Sequence, residues 1–406
     1  MKLQGLIKSV LVFTTLSIPL VSNGIDTKIG GEMWGRWTNE TAKYKNAAGD
    51  YINKNSKNFF SLERGYFDLQ TTFTPNTKAR FTVDMFSSDA THEVGTLADS
   101  SQTTLPIEPA TLTNKSSTLD GAGLKLKYAY VDFANLIPVP ELTVSAGLQK
   151  TYFGTIYDWT YALIGKAPTD EYKIVNSSDY GVTINGYIPN GFGEYAVGVY
   201  NGEGYKKVGA SLKDNTEFAY LGNLRLTPIA GVTLGGSYMT NTVGRKKALV
   251  GDAKNAAFEE QSLMDGLARL AYGPVDVWVE YISKDVKYPN TTNKDYTAKG
   301  MMIMPTLSLG AYLPADIQLI GRYDTWDESD KPTADKTRSL LTATTIGVNY
   351  NFLKDAADVA QMQLQLNYTT KQYDEKKSYS DFADGMKDSS LLMLQLKWKF
   401  ANTISN

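Results

Sequence analysis

Apolar and polar residues alternate one by one along much of this chain. Between Lys78 and Ser87, Ala79, Phe81, Val83 and Met85 interleave with Lys78, Arg80, Thr82 and Asp84. A period of two separates into two faces only on a β-strand. Between Phe59 and Thr74 the same rhythm sets Phe67, Leu69, Thr71 and Phe73 against Arg64, Tyr66, Asp68 and Gln70. From Gly121 to Phe133 it places Leu124, Leu126, Tyr128 and Tyr130 on the apolar side. The last segment is the cleanest: Leu392, Leu394, Leu396, Trp398 and Phe400 oppose Leu391, Met393, Gln395, Lys397 and Lys399.

About sixteen such segments follow one another from Asp26 to Phe400. Short turns rich in Pro, Asn and Gly follow the even ones, as at Thr74-Pro75-Asn76-Thr77 and Pro189-Asn190-Gly191. Longer polar loops follow the odd ones. Alternation with loops long at one end and short at the other predicts an all-β fold, a transmembrane antiparallel up-and-down barrel. An even strand count puts both chain ends on the short-turn side. A soluble sandwich needs no such loop asymmetry, and a β-helix would repeat at a fixed length. Residues 25–406 read as one barrel domain, with no internal repeat and no linker.

The first residues read differently. Lys2 and Lys8 precede a short apolar stretch, Val10 to Val21, which ends at Ser22-Asn23-Gly24. That is the form of a secretory signal peptide over residues 1–24, cut after Gly24.

Composition narrows the function. Mean hydropathy is −0.29, and beyond the leader no apolar run is long enough for a spanning helix. This excludes a helical membrane protein but not a barrel, whose apolar residues are diluted by lumen residues. The absence of cysteine excludes thiol catalysis, thiolate metal sites and disulfides. A net charge of −2 does not point to nucleic acid. His92 is the single histidine, lies in a polar loop and has no supporting nucleophile motif. No catalytic residue, metal or cofactor is expected, and the chain does not read as an enzyme.

The apolar faces end repeatedly in aromatics, the residues of membrane interfaces. The opposite faces carry Arg36, Arg64, Lys78, Arg80, Lys125, Lys127, Arg225, Arg269, Arg322, Lys397 and Lys399, with Asp68, Asp84, Glu280 and Asp324. So many charges must border water, and with lipid outside that water lies in the lumen. These are the candidate pore-lining residues. The third long loop, Gly154 to Ser177, could narrow the channel through Asp158, Lys166, Asp170, Glu171 and Lys173. The alternative is an ordinary surface loop. Arg36, Arg64, Arg80, Lys125 and Lys127 would attract phosphate-like anions, unless Glu32, Asp68 and Asp84 on the same strands neutralise them.

Several stretches carry a family resemblance: Leu62-Glu63-Arg64-Gly65-Tyr66-Phe67-Asp68-Leu69, Ala79-Arg80-Phe81-Thr82-Val83-Asp84, Leu126-Lys127-Tyr128-Ala129-Tyr130-Val131-Asp132-Phe133 and Gly147-Leu148-Gln149-Lys150-Thr151-Tyr152-Phe153-Gly154. Together they resemble bacterial outer-membrane porins, in particular the phosphate-selective O and P type group. The resemblance implies a water-filled channel for passive diffusion of small hydrophilic solutes and ions, a loop folded into the lumen and a homotrimer. Its partners would be outer-membrane lipid and lipopolysaccharide. Family chains usually stop at the terminal aromatic, whereas this one runs on through Ala401–Asn406. A substrate-specific anion or sugar channel is the nearest alternative. A barrel-scaffolded adhesin or enzyme is the alternative of another kind.

Overall fold

The computed structural model describes residues 25–45, 50–87, 118–119, 122–205, 217–244, 258–289, 295–330, 340–354, 360–373 and 386–404. The leader over residues 1–24 and His92 lie outside the described residues. Sixteen strands of eight residues or more form one closed antiparallel sheet, with the two-residue Thr118–Leu119 paired beside it. They are β1 Asp26–Lys45, β2 Tyr51–Thr74, β3 Thr77–Ser87, β4 Ala122–Ala134, β5 Leu142–Lys150, β6 Ser178–Ile188, β7 Gly193–Tyr200 and β8 Ala219–Ile229. The second half comprises β9 Val232–Gly244, β10 Phe258–Tyr272, β11 Val275–Lys287, β12 Tyr296–Ser308, β13 Ile317–Asp327, β14 Leu340–Lys354, β15 Ala360–Tyr373 and β16 Met386–Ile404. Each pairs with its sequence neighbours, and β16 closes on β1 through Lys28↔Thr403 to Thr38↔Met393. Closure leaves no strand edge unpaired around the ring, which is the condition for a sheet to cross lipid.

Burial is inverted relative to a soluble protein. Phe81, Leu224, Leu270, Ile346, Leu366 and Leu394 are exposed on the outer face. Thr183, Asn223, Asn349, Gln365, Asn367 and Gln395 are buried on the inner one. On β16 the alternation is plain: Leu394 is 39% exposed while its neighbours Met393 and Gln395 are 7% and 1% exposed. Buried amides need partners, and they have them: Gln395 donates to Gln365 at 2.7 Å, and Thr183 to Gln149 at 2.7 Å. An apolar outside around a hydrogen-bonded polar inside is the arrangement that lipid selects.

Four details depart from the periodicity. The first connection was expected to be a long loop, yet strand pairing runs to Lys45↔Tyr51 and makes β1–β2 one extended hairpin. A register shift between Thr82 and Val83 bulges β4 at Lys127. Beyond it Tyr128 and Tyr130 pair with the inward-facing Thr82 and Arg80, so both rings face the lumen instead of the membrane interface. Strand β12 ends at Ser308, not Leu313, and its ladder to β13 skips Met304 and Pro305 because proline has no N–H to donate. The residues after Phe400 are not a loose tail: Ala401–Ile404 continue β16 against Thr27–Gly30.

Candidate functional site

The segment between β5 and β6 enters the barrel. At its root Gly154 has φ of +52°, and a Cβ there would lie 2.4 Å from Glu280 Oε1, so only glycine fits. Its N–H donates to Ser237 Oγ at 3.0 Å, and the Thr155 N–H and hydroxyl donate to the two Glu280 oxygens at 3.0 and 2.6 Å. Arg225 donates to Asp158 at 2.5 and 3.2 Å and to the Gly154 carbonyl. Tyr157 donates to Glu194 at 2.5 Å. Burial pushes the Tyr157 hydroxyl well above its ordinary value, so it remains a donor.

Across the lumen the tip is pinned by its carbonyls. Gln365 donates to Tyr161 and Ala162 at 3.0 Å, Asn349 to Ala162 at 2.7 Å, and Lys397 to Thr160 at 3.3 Å. Arg322 donates to the Lys166 carbonyl at 2.7 Å. The return leg holds a single helical turn, α1 Pro168–Glu171, with proline where no N–H is required. A segment that touches β1, β4, β7, β8, β11 and β13 to β16 can lie only inside the ring. Gly154–Ser177 is therefore an internal loop, not a surface loop.

Apolar packing seats one side of it. Phe153, Ile174 and Val175 join inward-facing Leu221, Met239, Leu263, Ile282 and Trp326 in one buried cluster. Tyr172 stacks on Trp326 with ring centroids 4.8 Å apart. Leu163 packs separately with Met302, Met304 and Ile320.

The wall charges face inward, but most are already matched. Arg36 pairs with Glu63 at 3.0 Å, Arg80 with Asp68 at 2.8 Å and Lys125 with Asp84 at 3.1 Å. Arg269 pairs with Asp276 at 2.8 Å and Arg322 with Asp324 at 2.7 Å. Lys397 and Lys399 share Glu32 at 3.5 and 3.9 Å. Lys78 is exposed near the short turn, in register with Asp132. Within the loop Lys166 reaches Asp170 at 3.9 Å, Glu171 meets Lys371 at 3.4 Å, and Lys173 is exposed.

One expectation needs correction. Wall charges were expected to border water, yet Asp84, Lys127, Arg225, Glu280, Arg322, Asp324 and Lys397 are buried, the last five beneath or beside the internal loop. They face inward as part of its seat. Of the early-strand cations, Arg80 and Lys125 are neutralised by Asp68 and Asp84, the alternative left open by the sequence, and Arg36 by Glu63. Among the described residues Arg64 and Lys127 have no carboxylate ion-pair partner. The Arg64 guanidinium lies 5.2, 5.6 and 5.1 Å from the rings of Trp34, Tyr66 and Tyr161 and donates to the Tyr66 hydroxyl. Lys127 donates to Ser177 and sits 4.8 Å from the Tyr205 ring.

The loop divides the lumen into layers. On the long-loop side a cavity of about 210 Å³ is lined by Trp34, Arg36, Glu63, Arg64, Tyr161 and Arg322, among others. On the short-turn side one cavity of about 360 Å³ borders Asp158, Trp159, Arg225, Arg269 and Trp278. Another of about 280 Å³ borders Tyr161, Trp278, Gln363, Lys397 and Lys399. The lumen aromatics Trp34, Tyr128, Tyr130 and Tyr157 were not among the expected lining residues, whereas Tyr66 stands between Arg64 and Asp68 on a face already read as charged.

No protein-family model and no curated protein matches this chain. Solved structures do resemble it. OmpT, an outer membrane protein of Vibrio cholerae in trimer form, has 10% identity and a TM-score of 0.55 over 91% of this chain and 99% of its own. The anion-selective porin from Comamonas acidovorans has 12% identity and a TM-score of 0.55, over 93% of this chain and 100% of its own. Salmonella typhi OmpF in complex with daunomycin has 10% identity and a TM-score of 0.55, over 92% and 97%. At such identities the likeness is one of fold: the chain has the sixteen-stranded barrel of outer-membrane porins.

Proposed function

We propose that this chain is a non-enzymatic outer-membrane channel, water-filled, through which small hydrophilic solutes and ions pass by diffusion. The observation that carries this reading is the inverted burial. The apolar set of every second residue faces outward, and the inward set is polar and encloses cavities beside an internal loop. A barrel of sixteen strands is wide enough for such a lumen. Lipid and lipopolysaccharide are its surroundings. Assembly as a homotrimer belongs to the same proposal, with the trimer form of the similar OmpT of Vibrio cholerae as its support. Export through the leader over residues 1–24 belongs to the same proposal.

A second reading, anion preference, rests on the long-loop cavity. Arg36, Arg64, Lys166, Arg322 and Lys371 outnumber Glu63, Glu171 and Asp324 there by two, and among the described residues Arg64 has no carboxylate partner. Single-channel recording of purified protein in a planar bilayer tests both readings. The channel reading predicts discrete conductance steps and fails if none appears. The anion reading predicts an anion-directed reversal potential in a salt gradient and fails if the sign is opposite. Block of the current by inorganic phosphate would extend it to phosphate-like anions.

A further inference from the structure

A small cavity of about 30 Å³ lies on the long-loop side, where several stretches of chain meet. Thr151 follows β5 at the entry to the internal loop, and Asn176 stands on the loop's return leg. Asp179 opens β6, Gly202 follows β7, and Asn241 lies toward the long-loop end of β9. Apolar residues of the loop's seat complete the lining.

The oxygens around this cavity are oriented but not all satisfied. Asp179 is 4% exposed, and its two carboxylate oxygens accept from the N–H groups of Tyr180 and Gly202, each at 2.7 Å. A carboxylate oxygen that accepts one such bond keeps a second lone pair. Asn241 donates its amide to the Gly202 carbonyl at 2.9 Å, which fixes which end of that side chain is oxygen. The oxygen packs against Gly202, where φ is +82° and a Cβ would lie 2.1 Å from it, so the approach requires glycine. Among the described residues the Asn241 oxygen has no hydrogen-bond partner. Neither has the hydroxyl of Thr151, a residue only 1% exposed. A carboxylate, an amide oxygen and a hydroxyl thus border a space that fits one small particle. Buried acceptors without a donor are costly, and a cation satisfies all three at once.

We propose that this cavity is a calcium site, which clamps the return leg of the internal loop to β6 and β9. A donor set of oxygens alone selects a hard cation. Ca²⁺ accepts carboxylate, amide and hydroxyl oxygens in irregular geometry, whereas Mg²⁺ demands a near-ideal octahedron. Among the described residues no three of His, Cys, Asp and Glu converge to hold a metal. The charge at the site therefore comes from Asp179, with Glu203 buried next to Gly202 as the nearest carboxylate in the sequence. One carboxylate among neutral oxygens makes a weak site, in the range of about 10⁻⁴–10⁻³ M found in extracellular modules. The clamp is independent of which solutes the lumen passes.

The test is equilibrium dialysis of radioactive calcium against purified full-length protein stripped with EDTA, comparing wild type, Thr151→Val and Asp179→Asn. Wild type should bind one calcium ion per chain saturably, and magnesium in about ten-fold excess should not displace it. Thr151→Val keeps the shape, removes the hydroxyl and should weaken binding by about ten-fold. Asp179→Asn should abolish it. Calcium should also raise the temperature at which the folded band is lost on gels, more in wild type than in either variant. Equal uptake by all three proteins, as from surface carboxylates or carried lipopolysaccharide, overturns the site, and so does no uptake by wild type. If Asp179→Asn fails to fold, unchanged affinity in Thr151→Val overturns it. None of these outcomes bears on conduction, so the channel reading stands or falls separately.

Discussion

The two sides of the lumen are built on different principles. From β8 to β13, above the level of Glu280, the wall turns Leu221, Met239, Leu263, Ile282 and Trp326 inward against Phe153, Ile174 and Val175. From β1 to β4 the wall instead presents Arg36, Arg64, Arg80, Lys125 and Lys127 among the rings of Trp34, Tyr66 and Tyr128. One side packs apolar residues against the loop; the other sets cations among aromatic rings. A wide barrel thus gains a small hydrophobic core in half of its bore, and that core positions the loop against the polar half. The apolar packing lies on one side, and most of the early-strand cations lie on the other.

The comparison can be broken most severely from the packed side. Phe153→Ala removes a fully buried ring from the cluster and should cost about 3–5 kcal/mol of loop docking. The expected readout is cleavage of the loop by added protease together with a larger, noisier conductance. Gly154→Ala should follow, at about 1–3 kcal/mol, since the residue would keep a positive φ while its Cβ met the Glu280 carboxylate. Partial loop release, seen as an intermediate cleavage rate, is expected. On the open side Arg64→Glu should move the reversal potential toward cations. Lys173→Ala is the smallest change, within about 0.5 kcal/mol for an exposed side chain. It should alter neither conductance nor protease resistance, and a clear effect there would show that the exposed part of the loop also sets selectivity.

The division between sides was half visible in the residue pattern. Strand faces are legible because a period of two has no other structural meaning, and β16 folds with the faces and the β1 partner read from its alternation. The exposed Leu394 and buried Gln395 follow directly from it. The bulge at Lys127 was not legible: one inserted residue reverses the parity beyond it, and Tyr128 and Tyr130 read as membrane-facing when they face the lumen. The seat of the loop was concealed for a related reason. Leu221, Leu263 and Ile282 stand on faces that farther along hold Asn223, Asp265 and Glu280, so these strands are apolar on both faces only near one end. That local double-sidedness, together with Phe153, Ile156, Leu163, Ile164, Ile174 and Val175 in a connection that otherwise reads as polar, was the available signal of an apolar object inside. Pairings such as Thr155 with Glu280 or Gln365 with Ala162 join residues over a hundred positions apart, and no local pattern carries them.

Water should reach the cationic side of the lumen and be kept from the packed cluster. The chain has no cysteine, so Arg64→Cys and Leu263→Cys each introduce a single thiol into the folded barrel. Reaction with a charged, water-soluble thiol reagent, followed as current in a planar bilayer, reads the two sides directly. Arg64→Cys should react quickly with a stepwise change of current, while Leu263→Cys should stay unreactive until the protein is denatured. Fast reaction at Leu263→Cys, or none at Arg64→Cys in a conducting channel, would contradict it.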